Sequence, residues 1–342
     1  MSTLEVLNLR NNSLSSSLPL DICKHNLHRL KRLRISSNRM YGEIPSSLEW
    51  CSQLEFLSLR SNNFSGHVPT QIWNLTLLQE LYLGANNLRG NIPKEISALA
   101  NLQTLDMGTN NFSGPVPSEI RNLTMLQWLD LRNNMLSGNI PKEITNLTNL
   151  RIVVISFNKL SGSLPKEIGN MTSLINLLLN NNELSGHIPK QIFLLNNLFQ
   201  LDIAGNRLGG SLPREICNTT IPNVVLNYNN LRGPIPSTFV NQSRLCGFPL
   251  TRKCDPSDGK PSPPDHVEVE SDREIEWGYV FAAAGYVVSL GIFSWLLLFC
   301  RSFRYRYFEK VDDVFEKIFE CCQRRKKRDR RRRAVRNHAR RQ

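Results

Sequence analysis

Seven side chains in the first half of the chain have the types and spacing of a binding surface: Phe56, Arg60, Tyr82, Asp106, Trp128, Asp130 and Arg132. Tyr82, Asp106 and Asp130 follow one another at steps of 24 residues, and Phe56 to Trp128 and Arg60 to Arg132 each span three such steps. Aromatic rings and guanidinium groups are the usual anchors of binding interfaces. Arg32 and Arg34 stand two apart, so on an extended strand both point to one face, and two guanidinium groups suit a carboxylate. Catalytic chemistry has no comparable signature. No nucleophile–base constellation stands out, and the glycine-rich loop, H-R-D and D-F-G elements of a kinase are missing. The eight cysteines include no C-x-x-C pair and no histidine cluster accompanies them, so neither a zinc site nor any cofactor is expected. The chain reads as a binder, not an enzyme.

What must position these residues is a repeat. One asparagine recurs at Asn12, Asn38, Asn62, Asn86, Asn110, Asn134, Asn158, Asn182, Asn206 and Asn229. Around it runs the pattern L-x-x-L-x-L-x-x-N-x-L-x-G-x-I-P, complete at Leu126, Leu129, Leu131, Asn134, Leu136, Gly138, Ile140 and Pro141. Alternating leucines mark a short strand buried on one side. One such coil cannot cover its own apolar interior, whereas stacked coils can. With strands about 4.8 Å apart, ten coils make roughly 48 Å of parallel sheet. The asparagine is expected to satisfy backbone groups where the chain bends inward after the strand. Cys23, Cys51 and Cys217 fall between strands and read as small buried hydrophobes.

These residues resemble the plant-type leucine-rich repeat, over about residues 1–236. The resemblance implies an α/β-type solenoid: a horseshoe with parallel strands on its concave face, short 3-10 and loop segments on its convex side, and a second small sheet from the L-x-G-x-I-P half. In that family aspartate is an ordinary choice in the strand, which is the plainer reading of Asp106, Asp130 and Asp202. Arg32 and Arg34 resemble the R-x-R pair with which some plant peptide receptors hold a peptide's C-terminal carboxylate. Residues 237–254 contain a C-G-F-P-L-x-x-x-C run that resembles the C-terminal cap of plant leucine-rich-repeat receptors, which makes Cys246 and Cys254 a candidate disulfide. Met1 falls directly into a repeat, with no apolar leader and no cysteine cap before it. The expectation is an incomplete product or a misassigned start, the alternative a genuinely short form inserted by its single span.

Charge divides the remainder. The net charge is +13, but residues 255–276 hold two basic and eight acidic residues with four prolines, the composition of an extended acidic stalk. Residues 277–300 carry no charge, and 24 residues make about 36 Å of helix, enough to cross about 30 Å of hydrocarbon. Residues 301–342 hold seventeen basic and six acidic residues, so the positive-inside rule puts this tail in the cytosol. Gly278, Ala282, Gly285 and Ser289 place small side chains on one face of the span, where a partner helix could pack. The basic tail suits anionic lipid better than nucleic acid. Nine N-x-S/T sequons, at Asn11, Asn63, Asn74, Asn111, Asn122, Asn146, Asn170, Asn218 and Asn241, all precede the span and agree with an extracellular repeat domain.

The order of segments resembles plant leucine-rich-repeat receptor-like proteins. That implies a single-pass type I protein of the plasma membrane that binds an extracellular peptide, protein or microbial elicitor. Lacking a kinase, it would signal through a partner receptor kinase, reached through the stalk, the membrane helix or the tail. The alternatives are an inhibitor or decoy of secreted enzymes and a truncated non-signalling form.

Overall fold

The computed structural model describes residues 3–24 and 27–236. The expected cap, stalk, span and tail, with Cys246, Cys254, Asn241, Gly278, Ala282, Gly285 and Ser289, lie outside the described residues. Among the described residues no helix is long and apolar enough to cross a membrane.

Ten coils stack in sequence order. Their strands form one parallel sheet: Val6–Asn8, Arg32–Arg34, Phe56–Ser58, Glu80–Tyr82, Thr104–Asp106, Trp128–Asp130, Ile152–Val154, Asn176–Leu178, Gln200–Asp202 and Asn223–Val225, numbered here as coils 1 to 10. Every neighbouring pair is in register, so residues at equivalent repeat positions lie side by side, as Trp128 does with Thr104 and Ile152. The middle residue of each strand is the inward one; Leu33, Leu57, Leu81, Leu105 and Leu129 are all fully buried. Each such leucine contributes about 2–3 kcal/mol by leaving water. One continuous apolar core runs from Leu18 to Ile221.

The L-x-G-x-I-P half builds the back of each coil. Six strands from Tyr41–Glu43 to Lys159–Ser161 form the second sheet, also parallel, and Gly209–Gly210 pairs with Asn230–Leu231. The glycine of the motif adopts φ between 71° and 94° from Gly42 to Gly233, backbone that a side chain would strain. The proline then sets φ for a single 3-10 turn; Pro69 at −64° precedes Thr70–Asn74, and Pro141 at −64° precedes Lys142–Asn146.

The asparagine column stitches adjacent coils as its repetition implies. Asn110 Nδ2 donates to Leu83 O at 3.0 Å, Met107 O at 3.2 Å and Gly108 O at 3.3 Å, while its Oδ1 accepts from Leu88 N at 3.0 Å. Two of these partners belong to its own coil and two to the coil before. The residue just ahead of the asparagine is left-handed at nine non-glycine positions, including Ser61, Ala85, Thr109 and Phe157. Each costs about 1 kcal/mol or more, and the inter-coil bonds of the column hold the bend in place.

One expectation is overturned. Cys23 and Cys51 are not separate packed thiols but form a disulfide, with Cα atoms 5.3 Å apart. Their separation of 28 residues is close to one turn of the solenoid, which brings them side by side on neighbouring coils. Cys217 is buried in the core, as expected.

Candidate ligand surface

Three parallel columns of side chains cover the concave face. The first residue of each strand contributes Arg32, Phe56, Glu80, Thr104 and Trp128; the third contributes Arg34, Ser58, Tyr82, Asp106 and Asp130. The residues two further on include Arg60, Gly84, Gly108 and Arg132.

Coils 2 to 4 form an aromatic and cationic zone. The guanidinium carbons of Arg32 and Arg34 lie 4.4 and 4.6 Å from the centre of the Phe56 ring, within cation–π range. The Phe56 and Tyr82 rings are tilted, with centroids 5.5 Å apart. Tyr82 Oη donates to Glu80 Oε2 at 2.8 Å. Phe56 is therefore not the exposed anchor that its column suggests. It is only 3% exposed, because long side chains of neighbouring coils lie over it, and it serves as a platform for them.

Coils 3 to 6 carry a charged floor. Arg60 reaches across coil 4 to pair with Asp106, and Arg132 Nη2 pairs with Asp130 Oδ2 at 2.9 Å. Gly84 makes the first crossing possible: a Cβ there would stand 2.5 Å from an Asp106 oxygen and 2.7 Å from Arg60 Nη1. Each aspartate also accepts from the backbone two residues on, Asp106 Oδ1 from Gly108 N at 3.0 Å and Asp130 Oδ1 from Arg132 N at 3.1 Å. Asp202 repeats this turn with Ala204 N. Asp106 and Asp130 are thus buried and paired within the coils, the situation of ordinary strand aspartates rather than of open contacts for a ligand. Trp128 is half-buried, in the column of Phe56. So Arg60, Asp106, Asp130 and Arg132 come together in one cluster, while Phe56 and Tyr82 belong with Arg32, Arg34 and Glu80. Glu80 was not among the expected residues, although its place in the Phe56 column marks it.

Burial raises the Asp130 carboxyl to about 6, with Arg132 opposing and the Asp106 charge adding to the rise. Burial also raises Asp202, against the Ala204 N–H. An acid whose folded value lies above its unfolded one holds its proton more tightly in the folded state. Its contribution to stability is therefore greatest below about pH 4 and declines as pH climbs to about 6, by on the order of 3 kcal/mol for Asp130. Urea unfolding of the parent chain and of Asp130→Asn between pH 4 and 7 checks this. The parent should lose stability over that range relative to the variant, and parallel curves would contradict it.

Eight sequon asparagines are exposed: Asn11, Asn63, Asn74, Asn111, Asn122, Asn146, Asn170 and Asn218. Among the described residues no group of three His, Cys, Asp or Glu side chains is placed to hold a metal ion.

The leucine-rich repeat region model matches residues 42–164, and a single leucine-rich repeat model matches residues 3–25 and 197–219. Receptor-like protein 35 of Arabidopsis thaliana is 40% identical over 75 residues, 22% of this chain and 8% of that protein. The repeats of this chain are leucine-rich repeats similar to those of plant receptor-like proteins. The solved plant peptide hormone receptor RGFR1, in complex with RGF2, matches with a TM-score of 0.68 and 38% identity, over 70% of this chain and 38% of that one. The Arabidopsis receptor kinase HAESA, in complex with the peptide hormone IDA and the co-receptor SERK1, matches with a TM-score of 0.67 and 35% identity, over 70% and 40%. The chain thus covers less than half of these solved receptors, and its match spans under a tenth of that curated relative.

Proposed function

We propose that the concave face binds an extracellular peptide or protein and that Arg32 and Arg34 hold an anionic group of it, such as a C-terminal carboxylate. One observation carries this reading. Both guanidinium groups rest on the Phe56 ring, and among the described residues neither meets a carboxylate. Stacking orients the two forks and leaves their N–H edges for a partner. The charged floor beside them is already neutralised internally, so it shapes the surface without competing for the same anion. The likeness to solved receptors that hold peptide hormones supports the ligand class.

Signalling is assigned to a partner receptor kinase at the plasma membrane, with the small-residue face of Gly278, Ala282, Gly285 and Ser289 as its contact, a reading supported by the solved complex of HAESA with the co-receptor SERK1. The basic tail would rest on anionic lipid, and the receptor would act in defence or development.

The test uses the full-length chain expressed in plant cells. Peptides it captures from extracellular fluid are identified by mass spectrometry and resynthesised with a free or amidated C-terminus. Each charge-assisted hydrogen bond contributes about 1.5–3 kcal/mol. The Arg32→Ala/Arg34→Ala double variant should therefore bind the free-acid peptide at least about 100-fold more weakly, and amidation should produce a similar loss on the parent chain. Equal binding by parent and variant would refute the site. Leucine at the four small positions should remove a co-purifying kinase.

A further inference from the structure

The charged side chains on the concave face of coils 2 to 6 divide into two sets. Arg60 pairs with Asp106 and Arg132 with Asp130, so that part of the floor neutralises itself. Arg32, Arg34 and Glu80 are left over, and among the described residues none of the three meets an opposite charge. Arg32, Phe56 and Glu80 stand side by side on three successive strands, with Phe56 between the two charges.

Glu80 opens the strand Glu80–Tyr82, whose inward residue is Leu81, and is itself half-buried on the concave face. Among the described residues its carboxylate has one hydrogen-bond partner, the Tyr82 hydroxyl, which donates to Oε2 at 2.8 Å. A carboxylate can accept about four hydrogen bonds, so most of its capacity is open, and a charge drawn part-way out of water is unfavourable until it is paired. The Tyr82 ring is held in turn against Phe56, with centroids 5.5 Å apart. One aromatic pair therefore orients both signs. Phe56 carries the two guanidinium groups and Tyr82 fixes the carboxylate.

We propose that Glu80 is a second anchor of this surface and selects peptides that carry a lysine or arginine shortly before the C-terminal carboxylate held by Arg32 and Arg34. The inference rests on that carboxylate reading and adds the ligand's second charge and its direction. Strands about 4.8 Å apart put coil 4 about 10 Å from coil 2. Extended peptide covers that distance in about three residues, so the basic residue is the third or fourth from the C-terminus. The ligand chain runs from coil 4 to coil 2 in its N- to C-terminal direction. Its earlier residues lie toward coils 5 and 6, over charges that are already paired. An acidic side chain in the same place would face Glu80 and be rejected.

The test uses the full-length chain purified in detergent and pools of short synthetic peptides, randomised except at one position that holds lysine, glutamine or glutamate. Each pool is made with a free and with an amidated C-terminus, and retained peptides are quantified by mass spectrometry. The free-acid pool with lysine third or fourth from the end should be retained at least about tenfold better than its glutamine counterpart, and the glutamate pool least. Glu80→Gln keeps an acceptor for the Tyr82 hydroxyl and removes the charge. It should bring the lysine and glutamine pools within about twofold while still preferring the free acid, and Glu80→Lys should favour the glutamate pool. No lysine preference in the parent chain, an equal preference when lysine stands at the peptide's N-terminus, or a preference that Glu80→Gln leaves intact would overturn the proposal while the carboxylate site stands. Equal retention of free and amidated peptides would overturn the carboxylate site and this proposal with it.

Discussion

Asn110→Ala is expected to lower the unfolding free energy by roughly 3–5 kcal/mol, because it removes four hydrogen bonds at once, although Leu83 O keeps Asn86 Nδ2, Met107 O keeps Asn134 Nδ2 and Gly108 O keeps Ala85 N. Leu83 O, Met107 O and Gly108 O lose their shared donor, and Leu88 N loses its acceptor. Asn110 itself is only 7% exposed. Asn110→Asp should be nearly as damaging, since an ionised carboxylate accepts but cannot donate to the three carbonyls. For a domain of this size the loss corresponds to a Tm lower by on the order of 10–20 °C. Calorimetry of both variants against Asn87→Ala, an exposed asparagine on the second sheet, isolates the effect. The control should stay within about 0.5 kcal/mol of the parent. Asn110→Ala melting with the control would mean that the column is ornament.

Gly84→Ala should be almost as costly, although it adds one methyl group to a concave surface. That methyl occupies the path of the Arg60 side chain to Asp106. Either the bridge breaks and leaves a carboxylate buried beside a second one, or the backbone of coil 4 moves. Loss of one partner from a buried ion pair costs about 3–5 kcal/mol. Arg60→Ala makes the same lesion from the other side, so the double variant should be little worse than either single one, a coupling that a thermodynamic cycle reads directly. Independent additive losses would show that Gly84 is required for some other reason.

The ladder and the pitch were legible because each is written ten times. A period near 24 residues fixes which side chains share a column, and hydrophobic alternation fixes which face inward. The fate of single side chains within a column was not legible. Phe56 and Asp106 stand where the pattern exposes them, but their burial depends on arginines one coil away and two coils away, over a glycine that the consensus does not specify. The Cys23–Cys51 bond escaped for a related reason: the two were read as members of separate inter-strand segments, when a separation near one coil length already made them neighbours.

The disulfide has a mechanical meaning. In a stack held by nearest-neighbour contacts, the outer coils are the first to peel away when the molecule is pulled, heated or attacked by a protease. Cys23 to Cys51 ties the segment after coil 1 to the one after coil 2, so these two coils cannot come away from each other. In an oxidising compartment coils 1 and 2 open as one unit, and a reductant alone would let them part.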